Sequence, residues 1–185
     1  MPEVACGYGQ YRISSVYGVG ELDRRGGVTL SQTLQEYVGV PVEGYILING
    51  SHTGLKGTIL SKDFLTGNSD LTIPEKLQLV LAVAGLRDDK IKSVDISKLA
   101  SPLVLADGSE AIFLEKEELD NFLSGIFYES NLQDEGLRVE VVNTTKIAGL
   151  GSRVSRLLSN IGTSVVNVDS TSELLDKCRI ETDDK

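Results

Sequence analysis

Side chains able to do chemistry gather most densely at Asn143-Thr144-Thr145-Lys146, with Gly149 and Arg153 close behind. An alternating apolar run, Val139 to Val142, breaks here into amide and hydroxyl groups, and a helical pattern opens beside Gly149 and Gly151. A polar turn between a strand and a helix sets backbone N–H groups at the mouth of the helix, where an anion or a carbohydrate can be met. Asn143, Thr144, Thr145, Gly149 and Arg153 are therefore the candidate ligand-binding residues. A simpler reading makes the same residues structural: Thr144 or Thr145 caps the helix, and the glycines let it pack closely on the strand.

Other chemistries find less support. His52 is the only histidine, with no cysteine near it, so no metal-ligand set forms around it. A nucleophilic triad would have to use the same histidine, and no G-x-S-x-G elbow is present. Gly18-x-Gly20 lies outside any strand-to-helix turn, and G-x-x-x-x-G-K-[ST] is absent. The acidic pairs Asp88-Asp89, Glu117-Glu118 and Asp183-Asp184 read as solvated surface, as do Arg24 and Arg25 in their glycine-flanked turn. No catalytic residue, metal ligand or cofactor follows.

Composition narrows the classes further. A 41% hydrophobic content supports a packed core, and a net charge of -9 without a basic cluster argues against nucleic acid as a partner. Cys6 and Cys178 can form one disulfide only if the chain ends meet; otherwise both stay as thiols. With no apolar run of 18 residues and no charged-then-apolar leader, neither a membrane span nor a signal peptide is expected within the chain.

The elements that must position these groups alternate in type, giving an α/β chain. Residues 11–17 read as a short strand or an extended entry into the fold. A helix over 29–38 buries Leu30, Leu34 and Val38 and stops at Gly39. Residues 43–49 read as a strand, and 50–68 as loop with a helical turn or short strand. Thr72 and Glu75 form a capping box for a helix to Gly85, whose stripe is Leu77, Val80, Leu81 and Ala84. A strand at 91–97 and a hairpin at 103–114, turning at Asp107-Gly108, come next. A helix over 116–127 buries Leu119, Phe122, Leu123 and Ile126. After a polar joint at 131–136, a strand (137–142), a helix (146–161) and a strand (164–168) imply a parallel pair, and a last strand falls at 178–181.

The stretch from 137 to 182 resembles the LytR C-terminal domain of bacterial envelope proteins. Val139–Val142, Asn143-Thr144-Thr145, Gly149-Leu150-Gly151, the helix through Ile161, Gly162 and Val165-Val166 carry the likeness. Upstream, YRISSVYGVGE, GGVTLSQTLQEYVGVPVEGYILIN and LTIPEKLQLVLAVAG through FLSGIF resemble the middle and end of a LytR-CpsA-Psr domain. This implies an N-terminal domain over 1–130 with packed helices on a mixed sheet, a linker at 131–136, and a strand–helix–strand module over 137–185 that is cut short. The family transfers glycopolymers from polyprenyl (pyro)phosphate carriers to the wall with arginines and aspartates. Where a cluster of arginines should fall, between Asn49 and Asp70, only Lys56, Lys62 and Asp63 occur. The earlier Asp/Arg-rich stretch would precede Tyr11 and is missing. The resemblance therefore implies a degenerate, non-catalytic binding protein on the extracytoplasmic face, tethered by a helix outside this sequence. Its partners would be wall glycan, polyprenyl phosphate or another envelope protein. A glycopolymer transferase completed by further residues and a plain protein–protein adaptor are the alternatives.

Overall fold

The structure, a computed structural model, describes residues 3–4, 8–48, 54–91, 95–105, 108–127, 136 and 138–182. It is a mixed α/β protein, as expected, in two compact units, Met1–Lys116 and Glu117–Lys185.

In the first unit, β1 (Glu3–Val4) pairs antiparallel with β2 (Gly9–Gln10). The strand expected at 11–17 is instead the start of helix α1 (Ile13–Glu21), which packs on α2 (Gly26–Val38). Val16 and Gly20 are the buried positions of α1, and Thr29 and Thr33 are fully buried on α2. Burial between two helices overrides the β-propensity of Ile13, Val16 and Tyr17. The expected stripe of Leu30, Leu34 and Val38 is only half-buried, while Thr29, Thr33 and Tyr37 face inward. The Thr33 hydroxyl tolerates this because it donates to the Thr29 carbonyl at 2.7 Å. Tyr37 Oη donates to the Leu114 carbonyl (3.1 Å) and accepts from the Leu114 N–H (3.3 Å). Gly39, at φ 74, ends α2 as expected.

Two tyrosine rings exploit the glycines that open α2. A side chain on Gly26 would run into the Tyr17 ring, and one on Gly27 into the Tyr45 ring. Beyond them, β3 (Ile46–Leu47) pairs antiparallel with β4 (Asn68–Ser69), a shorter strand than the 43–49 expected; Asn49 lies outside the described residues. Between these strands lie two short helices, α3 (Gly54–Ile59) and α4 (Lys62–Thr66), where loop with a helical turn or short strand was expected. Ser61 starts α4 by accepting from the Phe64 N–H at 3.2 Å, and Phe64 is buried.

Helix α5 (Ile73–Ala84) carries the expected capping box, with the Glu75 carboxylate accepting from the Thr72 N–H (2.6 Å) and hydroxyl (2.7 Å). Its buried face is not the expected one. Lys76 and Val83 are buried and Val80 half-buried, whereas Leu77, Leu81 and Ala84 are exposed. Lys76 Nζ donates to the carbonyls of Gly67 (2.8 Å) and Leu65 (3.4 Å), so its stem turns inward while its ammonium serves the carbonyl end of α4. Of the strand expected at 91–97, residues 92–94 lie outside the described residues, and Ile96–Leu99 is a 3-10 turn. The expected hairpin is present as β5 (Ala100–Val104) and β6 (Glu110–Leu114), with Gly108 at φ 79; Asp107 lies outside the described residues.

Helix α6 (Lys116–Phe127) falls almost wholly in the second unit and buries Leu119 and Leu123; Phe122 is half-buried and Ile126 exposed. Most of the joint expected at 131–136 lies outside the described residues. Then β7 (Arg138–Asn143), α7 (Leu150–Asn160) and β8 (Ser164–Ser170) form the expected strand–helix–strand with parallel strands. Val166 is left over at a bulge between the Val139 and Glu140 pairs. Val139, Val141 and Asn143 alternate toward the less exposed face of β7, against α7. Arg156 on α7 clasps Asp120 of α6 through Nε and Nη2, both at 2.7 Å, and Asn160 adds a third bond to the same carboxylate at 2.9 Å. No strand forms at 178–181; the segment after β8 instead folds back.

Candidate functional site

Asn143, the last residue of β7, is buried and organises the whole turn that follows. Its Oδ1 accepts from the Thr145 N–H (3.0 Å) and the Thr145 hydroxyl (2.8 Å), while its Nδ2 donates to the Ile147 carbonyl (2.9 Å). Thr145 Oγ1 in turn accepts from the Ile147 N–H at 3.1 Å. Side chains here replace the missing backbone ladder, as Asn and Thr commonly do in turns. The backbone oxygens are also taken: the Asn143 carbonyl accepts from Thr171 N–H (3.1 Å) and the Thr144 carbonyl from Leu175 N–H (3.3 Å). The returning segment thus covers the turn.

Helix α7 starts four residues later than expected, and neither Thr144 nor Thr145 caps it. Gly149 stands at the cap with φ 72, in the left-handed region that a side chain disfavours. Its role is to redirect the chain into the helix rather than to pack. Close packing belongs to Gly151, which is buried, with an added Cβ meeting Val168 Cγ1 at 3.2 Å. Arg153 lies exposed one turn into α7. Of the five candidate residues, then, Asn143, Thr145 and Gly149 build the turn, Thr144 holds the returning segment, and Arg153 sits on the helix surface.

A second polar concentration, which sequence reading missed, lies in the first unit. An open cleft of about 460 Å³ is lined by Tyr17, Leu47, Ile48, Asp63, Thr66, Gly67 and Asn68. Tyr17 reaches it from α1, held against Gly26; Leu47 and Ile48 come from β3 and its end; Asp63 and Thr66 come from α4. Partial burial and then the nearby Glu21 carboxylate raise the Tyr17 phenol above its ordinary value. The same carboxylate accepts from the Gly26 N–H at 3.0 Å, at the positive end of α2. Thr66 Oγ1 donates to the Lys62 carbonyl at 3.1 Å.

Two lysines of this unit serve helix ends. Lys76 holds the carbonyl end of α4, and Lys56 Nζ donates to the Leu86 carbonyl at 2.9 Å, just past α5. Only pairwise proximity of Tyr17 and Asn68 across the fold reveals the cleft, and no spacing in the sequence encodes that. His52 and Cys6 lie outside the described residues, and Cys178 is an exposed free thiol. Among the described residues no group of His, Cys, Asp and Glu could hold a metal ion, and no helix is long and apolar enough to cross a membrane. No protein-family model, curated protein or solved structure matches the chain.

Proposed function

We propose that this chain is a non-catalytic binding protein of the bacterial envelope that holds wall glycan at the extracytoplasmic face. One observation carries the non-catalytic part: the groups best suited to phosphoryl chemistry are engaged in holding the fold. Lys76 and Lys56 bind carbonyls at or beside helix ends. Asn143 and Thr145 are consumed by their own turn. Clamping a transferring phosphoryl group needs cations pre-aimed at it, and releasing these lysines would leave carbonyls unmatched. The envelope setting rests on the resemblance of 137–182 to the LytR C-terminal domain.

Co-sedimentation of the intact protein with purified peptidoglycan sacculi, run beside an assay for release of phosphate from a polyprenyl pyrophosphate, tests the reading. Retention on sacculi without turnover is expected. Turnover by this chain would replace the proposal with the transferase alternative, and failure of folded protein to sediment would leave it an adaptor.

A further inference from the structure

We propose that the outer edge of β6 is a strand-addition site for an extended peptide segment, one that sets an apolar side chain beside Ile112 and a cationic one beside Glu110. The inference is independent of the glycan reading above.

The register of the hairpin fixes which way its backbone groups point. In an antiparallel pair, alternate residues exchange both backbone bonds with the partner strand, and the residues between them turn N–H and C=O away from it. At the turn, the Leu105 N–H donates to the Ser109 carbonyl at 2.9 Å, so Ser109 faces its partner strand. The register runs without a shift from Val104↔Glu110 to Ala100↔Leu114. Ala111 and Phe113 therefore face β5, while Glu110, Ile112 and Leu114 turn outward. Leu114 agrees with this, because the Tyr37 hydroxyl bonds both its C=O (3.1 Å) and its N–H (3.3 Å).

The two edges of the hairpin differ in what they offer. On β5, Pro102 stands opposite Ile112 and has no N–H to give, which closes that edge to a further strand. On β6, Tyr37 takes the rung at Leu114, and among the described residues no hydrogen bond takes the outward backbone groups of Glu110 or Ile112. Arg12 Nη2 donates to Ser109 Oγ at 2.5 Å, so the strand is held at both ends with its open rungs between. A strand fixed in advance loses little freedom when a peptide pairs with it.

Side chains select the occupant. Pro102, Val104, Glu110 and Ile112 share one face of the hairpin, where Val104 (68%) and Ile112 (73%) stand largely exposed. An added strand lays every second side chain on this face. The one beside Ile112 gains by being β-branched or aromatic, and the one beside Glu110 by being cationic. A second copy of this chain fits poorly. Pairing two β6 strands through their open rungs makes the two Glu110 carboxylates diagonal neighbours on one face, between chains that each carry a net charge of -9.

Amide NMR and hydrogen exchange of the intact protein test the site, with the blocked peptide Thr-Val-Thr-Lys-Thr as probe. Antiparallel addition sets its valine beside Ile112 and its lysine beside Glu110. The peptide is expected to shift the Ile112 and Glu110 amides and to slow their exchange, which should be fast in the free protein. Methylating the valine nitrogen removes a backbone donor and should weaken binding about tenfold, and replacing the lysine by glutamate about threefold at low salt. Ile112→Pro removes the outward donor but keeps every bond inside the hairpin, as Pro102 does across from it, and should cost at least about tenfold. Glu110→Lys should reverse the preference, so that the glutamate peptide binds better. Equal binding of the methylated peptide, shifts confined to other residues, no shift at millimolar peptide, or an unreversed preference in folded Glu110→Lys would overturn the proposal. Slow exchange of the Ile112 amide before any peptide is added would overturn it too, since the edge would then be filled by the chain itself or by a second copy.

Discussion

Two places in this molecule concentrate hydroxyls and amides, and they differ in what those groups do. At the Asn143 turn, three side-chain bonds from one buried amide and two backbone bonds from the returning segment match the polar atoms to one another. At the Tyr17–Asn68 cleft, similar side chains gather around an open volume. The turn looks like a site in sequence because its residues are contiguous. The cleft does not, because its residues come from three separated segments. Contiguity is what a local structural motif needs, whereas a binding surface needs only convergence in space.

The sharpest way to break this contrast is to remove the amide at its centre. Asn143→Ala, at a buried position, leaves the Ile147 carbonyl and the two Thr145 donors without their partner, an expected loss of about 2–3 kcal/mol. Urea denaturation followed by far-UV dichroism measures it. A neutral effect on stability would mean that the turn is not held by Asn143, and its residues would again be open to a ligand.

A smaller effect is expected from Gly149→Ala. At φ 72 the added Cβ brings backbone strain but no collision, since nothing lies within 4 Å of it. The cost is that of a left-handed residue, about 1–2 kcal/mol. Gly151→Ala distinguishes packing from conformation: its Cβ would press on Val168 Cγ1 at 3.2 Å. If Gly149→Ala proves harmless in thermal unfolding while Gly151→Ala is costly, the roles assigned to the two glycines are reversed.

The cleft has its own dependence on buried structure, through Lys76. Lys76→Met removes two bonds from an ammonium to carbonyls, and it also removes the cost of burying that charge, so the net loss is expected near 1 kcal/mol. Because Gly67 and Asn68 follow the helix end that Lys76 holds, their amide NMR shifts should move in the same protein. Unaltered shifts would show that the cleft wall is positioned without this lysine.

Local chemistry was readable from sequence wherever it acts over a few residues. The Thr72–Glu75 box, the Gly39 stop, the turn glycine at Gly108 and the parallel pairing of β7 with β8 all follow from short-range rules. The misreadings occur where a distant partner decides. Leu77 and Leu81 looked like the core stripe of α5, yet carbonyls near the end of α4 draw Lys76 inward and rotate the buried face. Likewise the β-rich segment from Ile13 to Tyr17 became helical because Thr29 and Thr33 offered a small surface to pack on, with the Thr33 hydroxyl satisfied by the Thr29 carbonyl. At the turn, the residues were singled out correctly but given the wrong cap, since Asn143 bonds forward to Thr145 and Ile147 before the helix begins.

The weakest expected effect concerns Glu75, whose helix carries Lys76 to the cleft. Hydrogen bonds from the Thr72 hydroxyl and N–H lower its pKa below the ordinary value of 4.5. A carboxylate stabilised in the folded state contributes fully above that ordinary value and loses its contribution as pH falls through the lowered one. Glu75→Ala should therefore unfold slightly earlier than the parent at pH 7, and the two melting curves should converge at pH below 4.5. The carboxylate is exposed, so screening keeps the difference small, and added salt should shrink it further. A gap between the curves that widens on acidification would show that the box is not the source of the stabilisation. The α5 start would then rest on packing alone, and the link from its capping to the cleft wall would be lost.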